Sequence, residues 1–380
     1  MAVNDFVDAS SEGRLGRPRG IWSTLHLDPL LLLLLVLLVC GGLFILYSGA
    51  DRNIEVVKAQ GIRLGVAFIV MLVFAQLDPA VFRRWAPWLY VAGIAALVAV
   101  LLVGVGAKGA QRWLALPGLP RFQPSEIMKL VVPMMAAWYL SRHYLPPRTR
   151  HVFVGLGIVL VPMGMIMQQP DLGTSLLVGM AGIFVVFFAG ISWKLIAAFV
   201  AMVGVSAPVM WFFVMREYQK QRVLTLLDPQ SDPLGAGWNI IQSKTAIGSG
   251  GIEGKGWLQG TQSHLEFLPE SHTDFIVAVL AEEFGFVGVT VLMILYFLII
   301  LRCLYISITA QDSFSRLLAG ALTMTFFIYI FVNVGMVSGL LPVVGVPLPL
   351  ISYGGTSGVT LMAAFGVLMS IQTHRRMITA

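Results

Sequence analysis

Asp274 closes the run Leu268-Pro269-Glu270-Ser271-His272-Thr273-Asp274, at the point where a polar stretch meets an apolar one. A carboxylate at the edge of a low-dielectric slab is costly to keep ionised and chemically useful for that reason. Two roles fit the position. One is a first-turn or capping aspartate for the helix that follows, a role that contributes roughly 1 kcal/mol. The other is a general base at a water boundary, and the two are compatible. His264, Glu266, Glu270 and His272 share the stretch with Asp274, but their spacing matches no structural zinc pattern. The glycines of the same stretch, Gly248 to Gly260, match no phosphate-binding GxxxxGK[ST] loop.

Three further polar clusters interrupt apolar sequence. The first holds Arg112, then Arg121-Phe122-Gln123-Pro124-Ser125-Glu126, then Lys129. Pro124 suits a helix start, and Gln123 or Ser125 could cap it. Glu126 and Lys129 lie three apart on one helical face. They are either an internal ion pair that lets the helix enter lipid or part of a polar cavity. The second cluster is Gln168-Gln169-Pro170-Asp171-Leu172-Gly173-Thr174. Pro170 and Gly173 break a helix there and Asp171 can cap the next. The third, Pro342 to Ser357, contains three prolines, Ser352 and the pair Gly354-Gly355. It reads as a re-entrant or broken element lining a cavity, which Asn333 could also face. Lys244, Lys255 and Arg222 of the long polar stretch could meet phosphates or merely face water.

The elements that must position these groups are membrane helices. Of the 380 residues 57% are hydrophobic and only 12% charged, with a mean hydropathy of +0.84. Soluble domains carry about 25% charged residues. Apolar runs cover 30–48, 60–76, 86–104, 126–141, 152–168, 173–190, 194–215, 274–301, 314–338 and 350–371. The fourth and fifth are short for a span of roughly 20 residues. The runs do not alternate, so a β-barrel is excluded. The predicted fold is an all-α polytopic membrane protein of about ten transmembrane helices, with re-entrant or broken segments. Its parts are a cytosolic tail over 1–29, a transmembrane domain over 30–371 and a tail over 372–380. A large loop, 216–273, separates the seventh and eighth helices.

The net charge of +6 does not indicate nucleic acid, because the basic residues are dispersed and form no stripe. With the N-terminus inside, the cytosolic connections hold Arg14, Arg17, Arg19, Arg83, Arg84, Arg142, Arg148, Arg150, Lys194, Arg302, Arg316, Arg375 and Arg376. The short outer ones hold Arg52, Lys58, Lys108, Arg112 and Arg121. That asymmetry places both termini in the cytosol and the long loop outside. The Leu-rich run from Leu30 extends too far for a signal-peptide core and reads as an uncleaved first helix. Cys40 and Cys303 read as buried thiols.

In order along the chain, Gln123-Pro124-Ser125-Glu126 with Lys129, Gln169-Pro170-Asp171-Leu172-Gly173-Thr174, Leu268-Pro269-Glu270 through Thr273-Asp274-Phe275, and Ser352-Tyr353-Gly354-Gly355 resemble the SEDS family of shape, elongation, division and sporulation proteins. The resemblance spans nearly the whole chain. Gly256 to Ser263, Leu265 to Glu270 and Gly345-Val346-Pro347-Leu348-Pro349-Leu350 are similar to its elongation branch. It implies a peptidoglycan glycosyltransferase that polymerises lipid II into glycan strands during cell elongation. Asp274 matches the family's essential aspartate. Arg112, Glu126, Lys129 and Asp171 match polar positions of a central cavity, to which Gln123, Lys244 and Ser352 are added. Implied partners are a class B penicillin-binding protein and the MreB-associated elongation machinery. The implied location is the bacterial cytoplasmic (inner) membrane, with the active site facing the periplasm.

The expected chemistry is an inverting transfer with Asp274 as general base. Arg112 and Lys129 would stabilise the departing diphosphate. A magnesium or manganese ion near Asp274, Glu126 and Asp171 is an alternative, and no nucleotide is required. Two rival functions remain: a lipid II flippase or transporter, and a non-enzymatic scaffold of the elongation complex. The one-sided placement of the polar clusters favours chemistry at an interface.

Overall fold

The computed structural model describes residues 25–107, 110–114, 122–215, 217–231, 236–261 and 272–374. The first three helices are α1 (Pro29–Gly49), α2 (Ile54–Gln76) and α3 (Pro79–Val103). Asp28, Asn53 and Asp78 stand at their N-caps, each side chain accepting a first-turn backbone N–H. Pro29 and Pro79 follow two of these caps, where a missing N–H costs nothing. A hairpin comes next, β1 (Val105–Ala107) and β2 (Ala110–Trp113), antiparallel with Ala107 opposite Ala110. It carries Arg112.

Four helices follow: α4 (Pro124–Leu140), α5 (Thr149–Gln168), α6 (Leu172–Phe188) and α7 (Trp193–Val209), the last running into a π-turn at Met210–Val214. Then come α8 (Glu217–Leu227), α9 (Ala236–Gly250), α10 (Ile276–Ile308), α11 (Ser313–Val337) and α12 (Thr356–Thr373). Among the described residues, seven helices are long and apolar enough to cross a membrane: α1, α2, α3, α5, α10, α11 and α12. All ten apolar runs fall on helices, with three corrections. The fifth run is not short, because α5 has 20 residues. The polar stretch 216–273 is not all loop, since it contains α8 and α9. The last helix starts at Thr356, because Leu350 sits at φ 61° in an irregular segment that precedes it.

The interior belongs to α4 and α11. Nearly every residue of α4 is buried, Glu126 and Lys129 included, and α11 is the most enclosed of the long helices. α4 packs on α3, α6 and α11, and α12 packs on α2. Cys303 is buried, whereas Cys40 is exposed on α1, contrary to expectation.

α10 is broken at Gly285 (φ 61°, ψ −158°). The backbone after α9 fills the break. Lys255 N donates to Glu282 O at 3.0 Å, Gly256 N to Glu283 O at 2.9 Å, and Phe286 N to Gly251 O at 2.9 Å. A Cβ on Gly250 would lie 1.9 Å from Ala281 O, and one on Gly254 2.2 Å from Glu283 O. Only glycine permits that approach. The buried Glu282 carboxylate accepts from Lys255 Nζ at 2.7 Å and Thr261 N at 2.7 Å. Lys255 is therefore committed to Glu282 and unavailable for phosphate.

Candidate functional site

Asp274 lies on a turn just before α10. The helix begins at Ile276 with Phe275 in the N-cap position, so Asp274 stands one residue before the cap. The side chain is half-buried. Its main chain is held in place. Asn333 of α11, fully buried, donates through Nδ2 to Asp274 O at 2.9 Å and to Val346 O at 2.8 Å. Two residues earlier, His272 O accepts from Tyr353 N at 2.8 Å. Asp274 Oδ2 lies 3.6 Å from the place a Cβ would occupy on Gly345, which has φ +74°.

The irregular segment 342–355 thus backs the carboxylate. It keeps its shape through its own polar contacts. Leu348 N donates to Ser352 Oγ at 2.8 Å, and Tyr296 Oη donates to Pro349 O at 2.7 Å. Gln60 of α2 donates to Ser352 O and accepts from Gly354 N, each at 3.3 Å. Buried backbone without helix or sheet needs such partners. Ser352 lines a narrow cleft with Gln60 and Tyr329, but its hydroxyl oxygen is engaged inside the segment.

The same segment meets the Asp171 cluster. A Cβ on Gly173 would lie 2.7 Å from Val344 O, so the first turn of α6 packs directly on it. Asp171 caps α6, its Oδ1 accepting from Thr174 N at 3.3 Å. Its Oδ2 accepts from Gln123 Nε2 at 2.8 Å, and Arg112 Nη1 stands 3.8 Å away as an ion pair. Arg112 also donates to Pro170 O at 2.5 Å. Gln123 occupies the N-cap position of α4 without capping it, because its amide is spent on Asp171 and on Ser125.

Lys129 and Glu126 form a buried ion pair, Nζ to Oε1 2.6 Å. Lys129 Nζ also hydrogen-bonds Tyr329 Oη of α11. Glu126 Oε2 is buried with no hydrogen-bond partner among the described residues. Both members lie on α4, and the hydrogen bond from Lys129 to Tyr329 is what ties α4 to α11. A charge pair this enclosed gives little net stability, but losing one partner leaves a buried charge unpaired.

Two predicted residues take other places. Lys244 lies exposed on α9, its Nζ 2.6 Å from where a Cβ on Gly339 would stand. That is the turn after α11. Arg222 lies on α8. Among the described residues no group of three or more His, Cys, Asp or Glu side chains is placed to hold a metal ion. Asp274, Glu126 and Asp171 are therefore not gathered into one ligand set. Arg121, His264, Glu266 and Glu270 lie outside the described residues.

Sequence reasoning missed Arg63, Tyr329 and Gln60. Arg63 on α2 sets its guanidinium 4.5 Å over the Tyr353 ring. Among the described residues it makes no ion pair. A lone arginine inside the apolar run 60–76 is the signal that could have found it. Tyr329 sits in the apolar stretch Phe326 to Val332 of α11 and gives no such signal.

Asp274, the Asp171–Arg112–Gln123 cluster and Arg63 with Tyr353 therefore border one irregular segment. That arrangement supplies a carboxylate for proton abstraction and arginines for an anion.

Comparison with known proteins bears on what that chemistry is. The family model described as cell cycle protein FtsW/RodA/SpoVE matches residues 25–377. The chain is 52% identical over 358 residues to the peptidoglycan glycosyltransferase MrdB of Escherichia coli K12, covering 94% of this chain and 96% of that one. It is 37% identical over 360 residues to a probable peptidoglycan glycosyltransferase FtsW of Trichlorobacter lovleyi, covering 90% and 92%. Among solved structures, one on the coordination of polymerization and crosslinking by a peptidoglycan synthase complex superposes with a TM-score of 0.80 at 30% identity, covering 91% of this chain and 97% of that one. The rod shape determining protein RodA of Thermus thermophilus gives a TM-score of 0.69 at 27% identity, covering 93% and 98%.

Proposed function

The chain belongs to the FtsW/RodA/SpoVE family and is a multi-pass membrane peptidoglycan glycosyltransferase; from that premise we propose that Asp274 is its general base and lipid II its substrate. The 4-hydroxyl of the acceptor's GlcNAc attacks the anomeric carbon of the donor's MurNAc. The new C–O bond forms as the bond to the lipid diphosphate breaks. Asp274 takes the hydroxyl proton, an assistance worth about 100- to 10,000-fold. A single displacement inverts the anomeric centre and needs one carboxylate, not two.

The observation that carries this role is the position of Asp274. It stands on the turn before α10, its side chain is only partly buried, and Asn333 pins its main chain. A base must be held within reach of its proton, and a pinned backbone beside an open glycine does that.

The leaving diphosphate gains negative charge, which Arg112 and Arg63 are best suited to meet. Lys129 is a weaker candidate than the sequence suggested, because Glu126 already neutralises it. A divalent ion, if the reaction uses one, would be held by the substrate's own phosphates and Asp274. Magnesium sites of that kind need few protein ligands.

The inside-positive bias of the basic residues supports an orientation with both termini in the cytosol and Asp274 on the periplasmic side of the inner membrane. A class B penicillin-binding protein is the expected partner, within the elongation machinery that includes MreB-associated proteins. The likeness to a synthase complex supports a cross-linking partner.

The test is glycan synthesis from lipid II in detergent, with and without EDTA. Asp274→Asn should lose at least 100-fold while the wild-type chain is active. Near-normal synthesis by Asp274→Asn would remove it from the mechanism. Detergent also separates bond formation from flipping, which needs a sealed bilayer.

A further inference from the structure

α4 carries Glu126 at one end and Ser141 and Arg142 just past the other. At roughly 1.5 Å per residue these ends lie about 24 Å apart. At the end away from the site an open pocket of about 480 Å³ lies between α3 and α4. Arg83, Arg84, Pro87 and Trp88 line it from α3, and Trp138 and Arg142 from the end of α4. The Arg142 guanidinium lies 3.8 Å over the Trp138 ring. Such stacking holds a flexible cation in one direction.

None of the three arginines makes an ion pair among the described residues. The nearby acids Asp78 and Asp312 accept backbone N–H groups as caps of α3 and α11. Trp88 is 71% exposed, as tryptophans at a membrane–water boundary commonly are. Arginines scattered along a membrane edge need only the inside-positive bias to explain them. Three that converge on one concavity between two helices, with one oriented by a ring, fit a ligand of opposite charge.

The geometry points to a binding site for the phosphate headgroup of an anionic glycerophospholipid, of the phosphatidylglycerol or cardiolipin class. The guanidinium groups bind phosphate oxygens, Trp88 and Trp138 flank the glycerol, and the acyl chains follow the lipid-facing side of α3. Basic pockets between helices on the cytoplasmic face take such headgroups. The leaflet rests on the orientation proposed above, but the binding does not.

The experiment uses the delipidated full chain in neutral detergent. Affinity and melting temperature are measured with dioleoyl phosphatidylglycerol, tetraoleoyl cardiolipin, dioleoyl phosphatidylcholine, inorganic phosphate and undecaprenyl diphosphate. The two anionic phospholipids should bind and raise the melting temperature, and phosphatidylcholine and free phosphate should not. The triple variant Arg83→Gln, Arg84→Gln, Arg142→Gln should weaken binding on the order of 100-fold while keeping glycan synthesis in detergent. Trp138→Leu alone should weaken it about 5-fold, which serves if the triple variant does not fold. Unchanged affinity in the variants, equal binding of phosphatidylcholine, or saturation by free phosphate overturns the proposal. So does a preference for undecaprenyl diphosphate joined to loss of synthesis in the variant, which would mark a substrate site.

Discussion

Lys129 and Glu126 pose the question of whether a buried charge pair exists for architecture or for chemistry. Their separation of 2.6 Å and near-complete burial mean that removing one partner strands the other. Lys129→Ala should cost about 3–5 kcal/mol, so lost activity in that variant decides nothing. The double variant Lys129→Met, Glu126→Gln removes both charges and should recover most of the melting temperature. If the pair is only structural, the folded double variant will polymerise lipid II within about threefold of wild type. A folded double variant that is slowed 100-fold assigns the pair to the reaction. Asp274 lies on the turn before α10 and is only partly buried, so Asp274→Asn should change the folding free energy by no more than about 1 kcal/mol while synthesis falls.

At the scale of elements, the clasp between α10 and the chain after α9 is the most demanding part of the fold. Gly254 has φ +82° and lies against Glu283 backbone. Gly254→Ala combines left-handed strain with a backbone clash, so it should destabilise by more than about 2 kcal/mol. Gly248 has open space around it and makes the control, since Gly248→Ala should change the melting temperature little or raise it slightly. Comparable losses in both variants would show that the clasp contributes nothing special.

For the whole molecule, the helices were legible because lipid demands long apolar runs, and all ten runs lie on helices. Asp171 was legible as a cap because Pro170 and Gly173 break the chain beside it. The clasp was not legible: it pairs backbone groups, the glycines at 250 and 254 allow tight turns and close approach to a ligand as readily as to another stretch of chain, and Gly285 carries no signal inside its apolar run. The apolar run that begins at Asp274 becomes helix only at Ile276, since a sequence boundary cannot separate the last turn residue from the first helical one. Ser352 reads as a cavity-lining residue and does line a cleft, but that its Oγ also accepts from Leu348 N is a contact no motif announces. Orientation is testable directly in a chain carrying Cys40→Ser and Cys303→Ala. Glu55→Cys, in the first turn of α2, should react with an impermeant maleimide in cells whose outer membrane alone is opened. Tyr144→Cys, 97% exposed after α4, should react only after the inner membrane is breached. The reverse pattern would invert the topology.

Beyond Gly285, α10 turns an apolar flank outward, with Phe286, Val291, Ile294 and Phe297 all more than half exposed. Its first turns, from Ile276 to Glu283, are buried. A bilayer that swells or thins pulls on the outer flank, while the buried turns stay buttoned to a neighbouring stretch of chain. The break at Gly285 thus separates the buried turns beside Asp274 from the flank that lipid would touch, much as a hinge pin separates a door frame from the swing of the door.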